Sequence, residues 1–406
     1  MHTESLTAST QKVAGSKFTV KGTALVHADF IITGVVMTVL GPMLPMLSAR
    51  WLLNDAQAGY LFVAQFVTSM FGMLSSGILV QRFGYRRTLM VGLILMALGM
   101  AALTRANLVL GLAAVSIYGF GFGSNTPAGN LFSADANPGH RAAALNWVNA
   151  SWGIGAMGCP LLVAWAQRSQ HVPLFLYGTA VALLALVACL SWVRFAADEE
   201  RLSPVQPSRA TASIWNLRVL LVAALFFTYV GTETSTGGWV ASYARRLDMG
   251  SHAFWAVTPS FFWGALLAGR LGAPLLLRRM RETTVASLGL VVATAGIVAL
   301  LAARSMTPVV IGASLAGLGL ASVFPISVSM LSHWFGEIPT RVSGAIFAGG
   351  NLGGAALPWL VGTLSTHFGG LRTGFFVPLV GALIMLVVYL ANGRRRVSQP
   401  APASHL

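Results

Sequence analysis

The sequence predicts an all-α membrane protein whose twelve transmembrane helices form two parallel six-helix repeats. Composition, the length of the apolar runs and an internal repeat carry that expectation. Hydrophobic residues fill 55% of the 406 positions and charged residues only 9%, against roughly 25% charged in a soluble domain. The apolar residues come in runs of about twenty, the number needed to cross ~30 Å of hydrocarbon. Lipid offers no partner to an open backbone group, and the runs do not alternate as barrel strands do, so each is predicted to be a helix.

Taken in order, residues 1–23 form a polar cytoplasmic tail with Lys12, Lys17 and Lys21. No small-residue cleavage site follows the first apolar run, which reads as a retained span rather than a removed signal. Gly, Pro and charge breaks place six spans near 24–46, 57–80, 88–105, 107–132, 142–166 and 172–195. Together, 24–195 is the first six-helix bundle. Residues 196–216 differ, with Asp198, Glu199, Glu200, Pro204 and Pro207, and read as a cytoplasmic linker. Spans resume near 217–244, 252–277, 283–303, 307–333, 340–365 and 370–393. They make up the second bundle, 217–393, before a short cytoplasmic tail, 394–406.

Lys and Arg set the orientation. With both termini in the cytoplasm, 18 of the 26 basic residues fall on that side and 7 on the other, leaving Arg270 near the inner end of span eight. This positive-inside bias accounts for the net charge of +15 without a nucleic-acid partner. Cys159 and Cys189 lie in apolar runs and act as small hydrophobes; no disulfide, metal site or cofactor is expected. Short loops and the absence of an exposed glycosylation acceptor suit a monomer in the lipid bilayer of a bacterial inner membrane.

The halves repeat. At an offset of 192, Gly72 falls on Gly264, Gly77 on Gly269 and Leu79 on Leu271. At an offset of 198, Gly119 falls on Gly317, Gly121 on Gly319, Pro127 on Pro325, Gly155 on Gly353 and Pro160 on Pro358. Small residues of this kind let helix backbones approach and slide.

Between spans two and three stands Gly77-Ile-Leu-Val-Gln81-Arg82-Phe-Gly84-Tyr-Arg86-Arg87. It resembles the cytoplasmic signature G-x-x-x-D-R-x-G-R-R of the major facilitator superfamily. The resemblance implies two bundles rocking about a central site, with this motif as an inner gate. The departure is Gln81, where the signature has Asp. In the family that acid helps hold the outward-facing state against the start of span eleven, here near Pro339-Thr340. Span seven, from Phe226 through Gly231, Glu233 and Trp239 to Tyr243, resembles the branch holding fucose–proton symporters and sodium-dependent glucose transporter-like proteins. So does span five, from Asn146 through Asn149, Trp152 and Gly155 to Pro160. The carboxylates those symporters carry in spans one and four would fall near Gly41 and Thr126, and neither is acidic here.

Only Asp29 and Glu233 put carboxyls inside predicted spans, where a charge costs ~2.5–3.5 kcal/mol or more. Glu233 lies halfway along span seven and is the first candidate for proton coupling. Asp29 is about five residues into span one beside His27, where it reads either as facing the cytoplasmic headgroups or as an inner-side proton acceptor. Amides and indoles suit a polyhydroxylated solute. The substrate candidates are Asn149, Trp152, Trp239, Asn125, Asn146, Gln65, Trp263 and Asn351, with Asn130 beside them. The same groups also glue helices and mark interfaces. Arg270 either meets an anionic substrate or snorkels to the headgroups.

The expected function is secondary active symport of a small, sugar-like solute with a proton (or sodium). The alternative is proton-driven efflux of an amphipathic compound or metabolite, although span four lacks the central Arg usual in drug antiporters. No HExxH, nucleophile elbow or phosphate loop points to an enzyme.

Overall fold

The computed structural model describes residues 21–137, 139–193, 216–247, 254–335 and 340–397. The predicted tails and linker lie outside these residues, apart from 21–23, Asn216 and 394–397. Helix is the regular structure throughout the described residues, with no strand among them. Span one is Lys21–Trp51 and spans two and three share one helix, Asp55–Leu103. Spans four to six are Leu108–Asp135, Arg141–Arg168 and Val172–Trp192. Span seven is Leu217–Leu247 and span eight, entered through a 3-10 turn, ends as Thr258–Leu277. Span nine is Glu282–Ala302 and span eleven Thr340–His367. Spans ten and twelve, each briefly interrupted, are Met306–Ser329 and Leu371–Ala391.

Local chemistry sets several boundaries. Asn54 caps span two by accepting from the Gln57 amide while the Gln57 side chain accepts from the Asn54 amide. Asn107 caps span four in the same manner, its side chain 2.9 Å from the Leu110 amide. Between spans two and three the expected loop is absent. The chain turns at Gly84, which sits at φ 79 and ψ 171 inside a continuous run of helix. That conformation suits glycine, which has no Cβ to clash. The second glycine of the motif is therefore the bend itself.

The sequence repeat reappears as equivalent crossings. A methyl on Gly119 would run into the Gln65 carbonyl of span two, and one on Gly317 into the Phe262 carbonyl of span eight. Gly155 presses on Ile31 of span one, and Gly353 on Phe227 of span seven. Each half thus uses glycine to bring the same pairs of backbones into contact.

Between the halves, contacts crowd one end. Call the side where span one begins the Lys21 side and the opposite one the far side. Toward the far side, Gly41 of span one sits on Gly237 and Gly238 of span seven, and Gly59 of span two sits on Trp359 of span eleven. Beyond them Arg245 donates to the Pro45 carbonyl at 2.7 Å, and Arg246 pairs with Asp55 at 2.5 Å. Asp55 also accepts from Ser365, and the Ala56 amide donates to Thr366 at 2.9 Å. Toward the Lys21 side the described contacts thin out. Across to the first half Asn351 reaches the Met73 sulfur, at 3.7 Å, and a methyl on Gly77 would meet nothing. Among the described residues, the polar contacts between the halves gather on the far side.

Candidate substrate and proton site

Span seven carries Tyr229 and Glu233 one turn apart, hence on one face. The Glu233 Oε1 accepts from Tyr229 Oη at 2.8 Å and from Arg270 Nη2 at 2.9 Å. Arg270 Nη2 also lies 3.2 Å from Tyr229 Oη, and the guanidinium stands 5.9 Å from the centre of the Phe324 ring. Glu233 is 9% exposed. Spans seven and eight are antiparallel, and Gly237 packs on Phe262 and Trp263. One turn before Gly237, Glu233 therefore comes opposite the stretch after Trp263, where Arg270 projects. A buried charge needs such a partner: removing one member of a buried pair typically costs ~3–5 kcal/mol. The sequence offered both charges but not their pairing, and left Arg270 either on an anionic substrate or among the headgroups. The rule that intramembrane charges pair was the available signal.

Of the two readings of Asp29, burial in the protein removes the one that faces it to the headgroups. The helix is already running at Lys21, so Asp29 lies more than two turns inside it, and it is 1% exposed. Neither carboxyl oxygen has a hydrogen-bond partner. Asn125 of span four, fully buried and with its own Oδ1 unpartnered, lies beside it. His27 does not help, because two residues along a helix is about 200° around it. Its Nδ1 instead lies 2.7 Å from Ser151 Oγ, in a pocket of about 540 Å³ also lined by Thr23, Ser133, Asn137, His140 and Trp147. A carboxyl with no donor is buried at least cost when it keeps its own proton, whereas one clamped by a guanidinium is buried at least cost without it.

The remaining candidates divide. Asn149 and Asn146 are exposed, and Asn149 Nδ2 donates to Asn130 Oδ1 at 3.1 Å and to the Leu145 carbonyl at 2.8 Å. Trp152 of span five meets Trp263 of span eight edge to face at 5.7 Å, with the Trp152 Nε1–H unpartnered. Gly153 sits on Leu267, so Asn149 and Arg270, each about a turn toward the Lys21 side, come to similar depth on facing spans. Gln65, Trp239 and Asn351 are instead bonded within the protein. Gln65 donates to the Met37 carbonyl at 2.8 Å and accepts from Tyr118 at 3.1 Å. Trp239 donates to the Pro358 carbonyl at 2.9 Å, and Asn351 to Phe347 at 3.0 Å.

Many transporter folds are built from two similar halves of this kind. The family profile described as Major Facilitator Superfamily matches residues 30–305 and 255–405. The chain belongs to the Major Facilitator Superfamily. It is 25% identical over 382 residues to a glucose/galactose transporter of Brucella abortus, covering 86% of this chain and 89% of the relative. It is 22% identical to the sodium-dependent glucose transporter 1 of Xenopus laevis, covering 87% and 78%. Its fold matches the crystal structure of a D-xylose–proton symporter with a TM-score of 0.75 at 12% identity, over 91% of this chain and 97% of that one.

The superfamily motif can now be placed. Gly84 bends the chain, and Gln81, Arg82 and Arg87 are exposed on the Lys21 side. Arg86 Nη1 lies 3.4 Å from the carbonyls of Ser191 and Val193 at the end of span six. Pro339, the expected neighbour of Gln81, lies outside the described residues. Gly41, where the resemblance would put an acid in span one, is pressed onto span seven and has no room for one in this state.

Proposed function

We propose that this superfamily member takes up a small, polar, sugar-like solute by alternating access, in symport with a proton. In this reading the Lys21 side is the cytoplasm, residues 24–195 and 217–393 are the rocking bodies, and the far-side contacts are the closed outer gate of an inward-facing state. The observation that carries the proposal is the buried Glu233–Arg270 pair in the second half, together with a second buried carboxyl, Asp29, in the first. Intramembrane carboxyls of this kind are the usual means of linking a proton to a solute. Relatives named as sugar transporters support the solute class, and exposed Asn149 with the Trp152–Trp263 pair supplies amide and indole contacts for hydroxyl-bearing ligands.

The test is uptake by proteoliposomes of labelled D-glucose, D-galactose and their C6 acids. A proton gradient, acid outside, should drive concentrative uptake of at least one of them, and a protonophore should abolish it. Uptake indifferent to the proton gradient and driven by sodium would replace the coupling ion. No uptake of any of the four would reject the solute class.

A further inference from the structure

Arg270 offers more than Glu233 uses. A guanidinium carries five N–H donors in a planar fork. Here Nη2 alone is engaged, by Glu233 and Tyr229, while the Nε–H is buried with no acceptor and Nη1 makes no bond to the protein. One face of the group lies toward Phe324, which accepts no conventional hydrogen bond. A cation placed only to neutralise Glu233 would gain by meeting both carboxylate oxygens, since fork-to-carboxylate pairing is the strong geometry. The single-atom contact leaves donors directed at something else.

The chemistry of that missing acceptor follows from charge. The pair as it stands is neutral. A neutral polyol could approach but would leave the guanidinium edge without a matching anion. A carboxylate would match it, and would then put two negative groups around one cation in a buried site, which is costly unless one is neutralised. The group beside it that can be neutralised is Glu233. We propose that the transported solute is an organic acid of sugar-like size, such as a uronic acid. Its carboxylate binds the free edge of Arg270 while the Glu233 carboxylate takes up one proton from water.

The balance closes. One anion and one proton enter, the guanidinium exchanges one carboxylate for another, and the net charge of the site stays at zero. Glu233 faces Tyr229 on its own helix and Arg270 on span eight, and is paired with no other acidic or basic group among the described residues. Around this stretch of span seven, Phe324 of span ten meets Tyr229 and Arg270, Leu357 of span eleven packs at Gly231 and Gly381 of span twelve packs at Thr232, none of the three titratable. Across the interface, Asn149 and Trp152 are placed for the solute's hydroxyls and ring. This narrows the sugar-like solute proposed above and rests on that reading.

Matched ligands separate the two ideas. Equilibrium binding of D-glucuronate and D-galacturonate to the full-length protein in detergent should be at least tenfold tighter than binding of D-glucose and D-galactose for at least one pair. Binding of the favoured acid should strengthen as pH falls, and in weakly buffered solution an indicator dye should record about one proton taken up per acid bound. Arg270→Gln, which leaves Glu233 able to sit protonated, should lose the preference of acid over neutral sugar. Preference for the neutral sugars, or acid binding with no proton uptake, would overturn the inference while leaving sugar transport standing. Failure of all four ligands to bind would reject both readings.

Discussion

Asp29 in the first half and Glu233 in the second are the buried acidic side chains of the described structure, and their surroundings are opposites. Glu233 is held by a phenol and a guanidinium. Asp29 has no charged partner and only the Asn125 amide beside it. A clamped carboxylate is tied to its partner, so its protonation and its partner's occupancy change together. A carboxyl with no charged partner can gain or lose its proton without breaking an ion pair, once water or a donor reaches it. The difference suggests a division of labour. The second half would link solute to proton, and the first would relay the proton toward the Lys21 side.

Substitutions that treat the two acids alike should break the comparison or sharpen it. The largest effect is expected from Glu233→Gln, which strands the Arg270 charge. Thermal or denaturant unfolding in detergent should show a loss of ~3–5 kcal/mol, and adding Arg270→Leu should recover most of it. Unchanged stability in the single variant would mean that the pair is not buried as described. Asp29→Asn should instead unfold within ~1 kcal/mol of the parent, because it replaces a group that has no partner to lose. Its signature is functional: net uptake driven by a proton gradient should slow at least tenfold, while exchange of labelled for unlabelled solute persists. Equal loss of both activities would remove the relay.

Smaller effects test the two ends of the molecule. Asp55→Asn weakens the far-side closure by ~1 kcal/mol, since its partner Arg246 is half exposed and such pairs contribute little. A shift of about fivefold toward far-side opening should follow, read as longer distances between spin labels at Tyr60 and Phe368, both exposed on that side. Gln81→Asp should act in the opposite place. A charge near helix N–H groups is worth ~0.3–1 kcal/mol, so closure on the Lys21 side should gain about twofold to fivefold. No shift would mean that Gln81 does not touch the start of span eleven.

Much of this fold is legible in the sequence, because apolar run length and paired glycines are local signals. Gly155 and Gly353 announce equivalent crossings before any partner helix is known. Gly84 was legible as a motif residue but not as a bend, since a turn made by one residue looks like a loop when polar residues surround it. The placing of Asp29 was left open, because hydropathy marks where lipid begins, not where the helix does. The Glu233–Arg270 pair was legible only as the general rule that intramembrane charges pair; its register depends on packing at Gly237 and Trp263, which lie apart in the chain. The fates of Gln65 and Trp239 were equally hidden, because a buried amide or indole has the same chemistry whether it grips a solute or a backbone carbonyl.

The most direct test measures solute and proton together. Proteoliposomes loaded with a pH-sensitive dye would be given whichever of D-galactose, D-galacturonate, D-glucose or D-glucuronate is accumulated, and interior acidity and label would be followed in the same sample. Acidification in step with uptake, strongly slowed in Asp29→Asn, is the expected result. Solute accumulation with no movement of protons would contradict the account.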